Sequence, residues 1–140
     1  MRRLAVALVA VLALAACGGG SSKSSDTDQV KSAYETFFSS KTPLSERVAL
    51  LQNGSRFRAV MKSFASNPLA SNTSAKVFSV APQGAKSAKV VYEVMISGGV
   101  VPPGKQTGSA VREGGKWKVA DASLCALLAL NGGLPSVCRA

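Results

Sequence analysis

The chain has 140 residues, with seventeen Lys or Arg against seven Asp or Glu, and it contains no histidine. That absence removes the usual general base near neutral pH, the Ser-His and Cys-His nucleophile pairs, and the commonest metal ligand. The length accommodates one domain with its own core and leaves no room for a second.

Residues 1–16 have the parts of a secretory signal: Arg2 and Arg3, an apolar stretch from Leu4 to Leu14, and small residues before a cut. The stretch is shorter than the roughly 20 apolar residues of a membrane span. Leu14-Ala15-Ala16-Cys17 fits the bacterial lipobox, in which Cys17 takes a thioether-linked diacylglycerol and becomes the first residue after cleavage. An ordinary Ala-x-Ala cleavage with Cys17 incidental is the other reading. Residues 18–25 read GGGSSKSS, with nothing to bury, so residues 17–26 are expected to form a flexible tether, and this favours the anchor. Two or more acyl chains on Cys17 would hold the protein at the extracytoplasmic face of the cell membrane, since each buried CH₂ contributes about 0.8 kcal/mol and one chain alone is marginal.

A single domain is expected over residues 27–140. It stays basic once Arg2 and Arg3 are removed, with fifteen Lys or Arg left against the same seven acids. The basic residues are scattered and fit no nucleic-acid motif, so no nucleic-acid partner is expected; an exported basic protein meets anionic lipids and wall polymers first. Three helical stretches open the domain. Over residues 28–39, Val30, Ala33, Tyr34, Phe37 and Phe38 recur on one stripe, with Asp26 or Thr27 as the cap. Thr42-Pro43 reads as a helix start, with Leu44, Val48 and Leu51 buried and Asn53-Gly54 as the stop. From Ser55, a stripe of Phe57, Val60, Met61 and Phe64 reads as core before Asn67-Pro68 ends the helix.

The period then changes to two. Residues 76–81 form one expected strand and 88–97 a longer one, with Ala88, Val90, Tyr92, Val94 and Ile96 on one face and Lys89, Val91, Glu93 and Met95 on the other. SGGVVPPGKQTG is expected to be a loop. Residues 107–112 and 116–120 pair as a hairpin around Glu113-Gly114-Gly115, burying Val111, Trp117 and Val119. Helices followed by antiparallel strands predict an α+β fold, with the helices packed on one face of a curved sheet of about four strands. If Cys17 is lipidated, Cys125 and Cys138 remain as an even pair in an oxidising compartment and predict a disulfide that staples the C-terminal segment.

PLSERVALLQNGSRFRAVM, followed after the strands by GGKWKVADASLCALLAL, resembles the mycobacterial and actinobacterial low-molecular-weight secreted antigen family. Its members share a P-L-x-x-K/R-V-x-L-x-x-x-G helix and a W-K-V-A-x-x-S-L-C ending. The similarity runs from about Asp28 to Cys138. It implies a cystatin-like or NTF2-like layout able to enclose an apolar pocket, an exported location and immune recognition, and it supplies no catalytic residue. Cys17 departs from the soluble members, whose signals end without a lipidated cysteine.

No motif requires a cofactor or a metal, and no phosphate-binding glycine loop is present. Two functional readings follow. The first is a lipid-anchored, non-catalytic domain that binds an apolar ligand, a wall polymer or an envelope protein, with the half-apolar outer face at Val91 and Met95 as a candidate homodimer contact. The second is a small isomerase or dehydratase that uses a pocket carboxylate. Glu93 and Asp121 are its only candidates, weighed against an outward strand residue paired with lysine and a turn or capping acid before Ser123.

Overall fold

The computed structural model describes residues 25–139; the expectations for residues 1–24, Cys17 among them, lie outside that range. Helix α1, Asp26–Phe38, buries all five residues of its predicted stripe. Its cap is Ser25 rather than Asp26 or Thr27, with Ser25 Oγ accepting from the Asp28 N–H at 3.2 Å. This start frees Asp26 for tertiary work. Its Oδ1 accepts from Trp117 Nε1 at 3.1 Å and lies 3.4 Å from Arg112 Nη1.

Helix α2, Leu44–Ala49, is short and only partly buried, and it runs into a left-handed residue at Asn53. Gly54 follows. A Cβ there would lie 1.9 Å from the Val48 carbonyl oxygen, so only glycine lets the chain turn back against α2. A 3₁₀ turn, Gly54–Phe57, buries Phe57 and leads into α3, Arg58–Ala65, which buries Met61 but leaves Phe64 42% exposed. The stripe read as core is therefore core at one end only.

Four strands form a curled antiparallel sheet in the order β1-β2-β4-β5: β1 Thr73–Pro82, β2 Ser87–Ile96, β4 Gln106–Glu113 and β5 Lys116–Val119. A two-residue strand, β3, Gly99–Val100, folds back on the end of β2 through a turn at Ser97-Gly98, so part of the expected loop is paired. A bulge at Phe78 switches the inward face of β1 from Ala75 and Val77 to Val80 and bends the sheet around α1. The sheet's inner face and α1 supply most of the core, including Tyr34, Val90, Tyr92 and Val119.

The hairpin register differs from expectation at one position. Ala110 pairs with Val119 and Arg112 with Trp117, so Ala110 faces the helices while Val111, opposite Lys118, lies on the outer face and is half-buried. The inward residues of β4 are small because α1 and the C-terminal helix press on them: a Cβ on Gly108 would meet Tyr34 Oη at 2.7 Å and Ser123 Oγ at 3.1 Å. At the turn, Gly114 and Gly115 both take positive φ, as a two-residue hairpin requires.

The last helix, α4, Asp121–Leu130, has no counterpart among the expected elements, because its ten residues are apolar on nearly every side and show no stripe. Its middle is tied to the C-terminal tail by the Cys125–Cys138 disulfide, the pair expected once Cys17 is set aside. Among the described residues no helix is long and apolar enough to cross a membrane.

Candidate functional site

At the C-terminal end of α1 the helices and the sheet do not close completely. An apolar cavity of about 90 Å³ remains. Phe37 and Phe38 of α1 and Val94 and Ile96 of β2 line one side; Val60, Met61 and Phe64 of α3 and Leu124, Leu127 and Leu128 of α4 line the other. Thr73, which is buried, and Asn131 are its uncharged polar lining residues, and Val101, 37% exposed, stands with Phe64 at the rim. The walls are stiff where aromatic rings pack on one another. Phe37 meets Phe38 edge-on at 4.9 Å, and Phe38 stacks on Tyr92 at 5.6 Å.

The lining contains a single charged side chain, Arg47 of α2. Its Nη2 donates to the Ser39 carbonyl, whereas its Nε–H is buried and has no partner. The carboxylate beside it in sequence, Glu46, lines a different surface. Burial lowers the Arg47 pKa from its ordinary value, the direction expected when a cation loses water and gains no counterion.

Beneath the cavity lies a polar knot. Tyr34 Oη donates to the Ser109 carbonyl at 2.6 Å, and the Ser109 N–H donates to Ser123 Oγ at 2.7 Å. It fixes α1, β4 and the first turn of α4 to one another. Burial pushes the Tyr34 phenol well above its usual range, against the opposing pull of its hydrogen bond with Ser123, and burial pushes Tyr92 up to about 12. Neither phenol is poised to exchange a proton near neutral pH.

The two acids singled out by sequence lie elsewhere. Glu93 sits on the outer face of β2 directly across from Lys76 of β1, an opposite-charge cross-strand pair. Asp121 begins α4, where its Oδ2 accepts from Asn53 Nδ2 at 2.8 Å and its N–H donates to Gln52 Oε1 at 3.3 Å. It links α4 to the α2–α3 turn. Neither acid lines the cavity. Val91 and Met95 lie half-buried on the outer face of the sheet with Glu93.

A second, more open groove of about 330 Å³ runs between α1, α2 and the β4–β5 turn, with Asp28 and Glu46 on its walls and Trp117 and Lys116 across from them. Among the described residues no group of His, Cys, Asp or Glu is placed to hold a metal. Sequence reasoning met Arg47 only as the K/R position of the shared P-L-x-x-K/R-V motif and gave it no role, and it read Phe37, Phe38, Val60, Met61 and Phe64 as core.

No curated protein and no solved structure matches the chain. A family model does match, over residues 23–135, and it contains both the cavity and the polar knot beneath it. The chain belongs to the family described as low molecular weight antigen MTB12, C-terminal domain.

Proposed function

We propose that this antigen-family protein is held at the outer face of the cell membrane through acylated Cys17 and that its domain binds an apolar molecule without transforming it. The observation that carries the binding reading is the cavity between sheet and helices: eleven of its fourteen lining residues are apolar. Apolar sites of this kind, with few and specific polar groups, are the usual form of small-molecule binding sites. The exposed rings and branched chains at its rim, Phe64 and Val101, give an apolar molecule a way in from the side.

Support for the anchor comes from the lipobox, the leftover cysteine once Cys125 and Cys138 are paired, and a Gly/Ser tether whose eight residues 18–25 reach at most about 28 Å. A domain on so short a leash stays within reach of the lipid surface. The carboxylate-enzyme reading needs an acid in the cavity, and the lining contains none.

Two measurements test the proposal. Mass spectrometry of the mature N-terminus should find acylated Cys17, and Cys17→Ala should move the protein from membrane to medium; unchanged membrane retention would contradict the anchor. For binding, a neutral apolar probe such as dodecanol should bind wild-type protein saturably. Leu127→Trp, which fills the cavity, should abolish that binding, and equal binding by the variant would remove the cavity from the account.

A further inference from the structure

Resting on the binding reading above, we infer that the preferred occupant of the cavity is a fatty carboxylate, with its head group at Arg47 and its chain against the apolar walls and rim. The wall is apolar except for Thr73, Asn131 and one guanidinium, the last its only charge, so the site asks for a molecule that is apolar along its length and anionic at one end. A neutral hydrocarbon would leave the buried Nε–H of Arg47 unsatisfied, as it now is. A carboxylate would accept from it.

Charge matching decides among anions. The two ion pairs among the described residues, Arg112–Asp26 and Lys118–Glu113, lie elsewhere, and no carboxylate of the described residues pairs with Arg47. A guanidinium keeps its charge at any physiological pH. One unpaired positive charge in a water-poor wall fits a monoanion, whereas a phosphate head would bring a second negative charge with no partner. A guanidinium edge also matches the planar, two-oxygen geometry of a carboxylate. Arg47 is held by one hydrogen bond from Nη2 to the Ser39 carbonyl, which leaves its remaining donors free to turn toward a ligand.

Volume sets the pose. The enclosed space of about 90 Å³ is roughly three times the share of one water molecule in the liquid, enough for the head and first few carbons of a chain. The remaining methylenes must cross the rim, where Phe64 and Val101 expose apolar surface to receive them.

The test compares laurate, dodecyl phosphate and dodecanol by titration calorimetry on the full chain carrying Cys17→Ala, collected from the medium, so that no lipid competes for the probes. Laurate should bind about tenfold or more tightly than dodecanol, the factor expected of one charge-assisted hydrogen bond in a desolvated site. Dodecyl phosphate should fall between them. Arg47→Gln should bring the laurate-to-dodecanol ratio to about one, and Arg47→Lys should keep part of the preference. Should Arg47→Gln fail to fold, the carboxyl carbon resonance of labelled laurate bound to the Arg47-bearing chain decides instead: its titration must move below that of free laurate. Equal affinities for laurate and dodecanol, a preference that survives Arg47→Gln, or an unshifted titration overturns the inference and leaves the cavity as an apolar site. Failure of all three probes to bind overturns the binding reading as well.

Discussion

The two ends of α1 are finished in opposite ways. At its start, Asp26 reaches across to Trp117 and Arg112, and in its middle Tyr34 ties into Ser109 and Ser123, so helix, sheet and α4 meet through directed polar bonds. At its end, Phe37 and Phe38 look into a gap that α3 and α4 do not fill. Directed bonds need exact distances and tolerate little change in volume, whereas apolar walls with no fixed partner can repack around a guest. The braced end gives the domain its shape, and the open end leaves the cavity.

The sharpest way to break this division is at Gly54, which belongs to the open end's framework. If slack there extended to the backbone, Gly54→Ala would be tolerated. The Cβ would instead sit 1.9 Å from the Val48 carbonyl oxygen, and neither partner is a movable side chain. A loss of about 3 kcal/mol or more, or failure to fold, is expected in urea denaturation, at the upper range for overpacking. A cost below about 1 kcal/mol would show that the α2–α3 turn is as adaptable as the side chains above it.

The disulfide sharpens the comparison next, because it holds the tail, with Val137 and Cys138 packed on the core, beside the α4 wall of the cavity. Replacing both Cys125 and Cys138 by Ser should cost about 3 kcal/mol by the loop-entropy model, read as a lower midpoint in thermal unfolding. The loss should fall mainly on the open end: hydrogen exchange should accelerate in α4 before it does in β4. Uniform acceleration would mean that the two ends do not open separately.

At the braced end, Gly108→Ala should cost about 2 kcal/mol, since the new methyl would press on Tyr34 Oη at 2.7 Å. Tyr34→Phe alone should cost about 1 kcal/mol for the lost hydrogen bond to Ser109. Because Tyr34→Phe also removes the obstructing oxygen, the double variant should be less destabilised than the two single losses added together. The buried phenols add a pH signature. Folding favours their neutral forms, so this contribution is complete below the ordinary phenol value of about 10, and it is lost as pH rises toward about 12 for Tyr92 and higher still for Tyr34. Alkaline unfolding should coincide with tyrosinate absorbance, and tyrosinate forming in a folded domain would contradict the burial.

Much of this layout is legible in the sequence, and the gaps have physical causes. The α1 stripe and the β2 alternation are strong periodic signals, and each has one face against the core. Once Cys17 is set aside as the lipobox cysteine, the two that remain, Cys125 and Cys138, are the pair that the structure joins. Periodicity fails for α4, whose apolar residues surround the helix, and for β4, where Val111 reads as the inward residue although Gly108 and Ala110 face the core. Side-chain volume across the gap, which a linear pattern does not encode, made the difference in β4. The cavity is hidden for a related reason: Phe64 and Leu127 have the same pattern whether their neighbours meet or leave a space. Arg47 stands in the shared P-L-x-x-K/R-V motif, but the motif gives it no role until its missing partner is seen.

The smallest stability effect belongs to the rim. Phe64 is 42% exposed on α3, so truncating it removes ring surface that is already partly in water and opens a cavity that is already present. Phe64→Ala should therefore cost no more than about 1 kcal/mol, well short of the roughly 3–5 kcal/mol of a fully buried aromatic. Its effect on binding should be large by comparison, because the ring is where a chain leaving the enclosed space finds cover. A several-fold loss of dodecanol affinity with nearly unchanged thermal stability is the expected pair of results. The reverse pair, a large stability loss with binding intact, would place Phe64 in the framework and move the boundary between the two ends to the far side of α3.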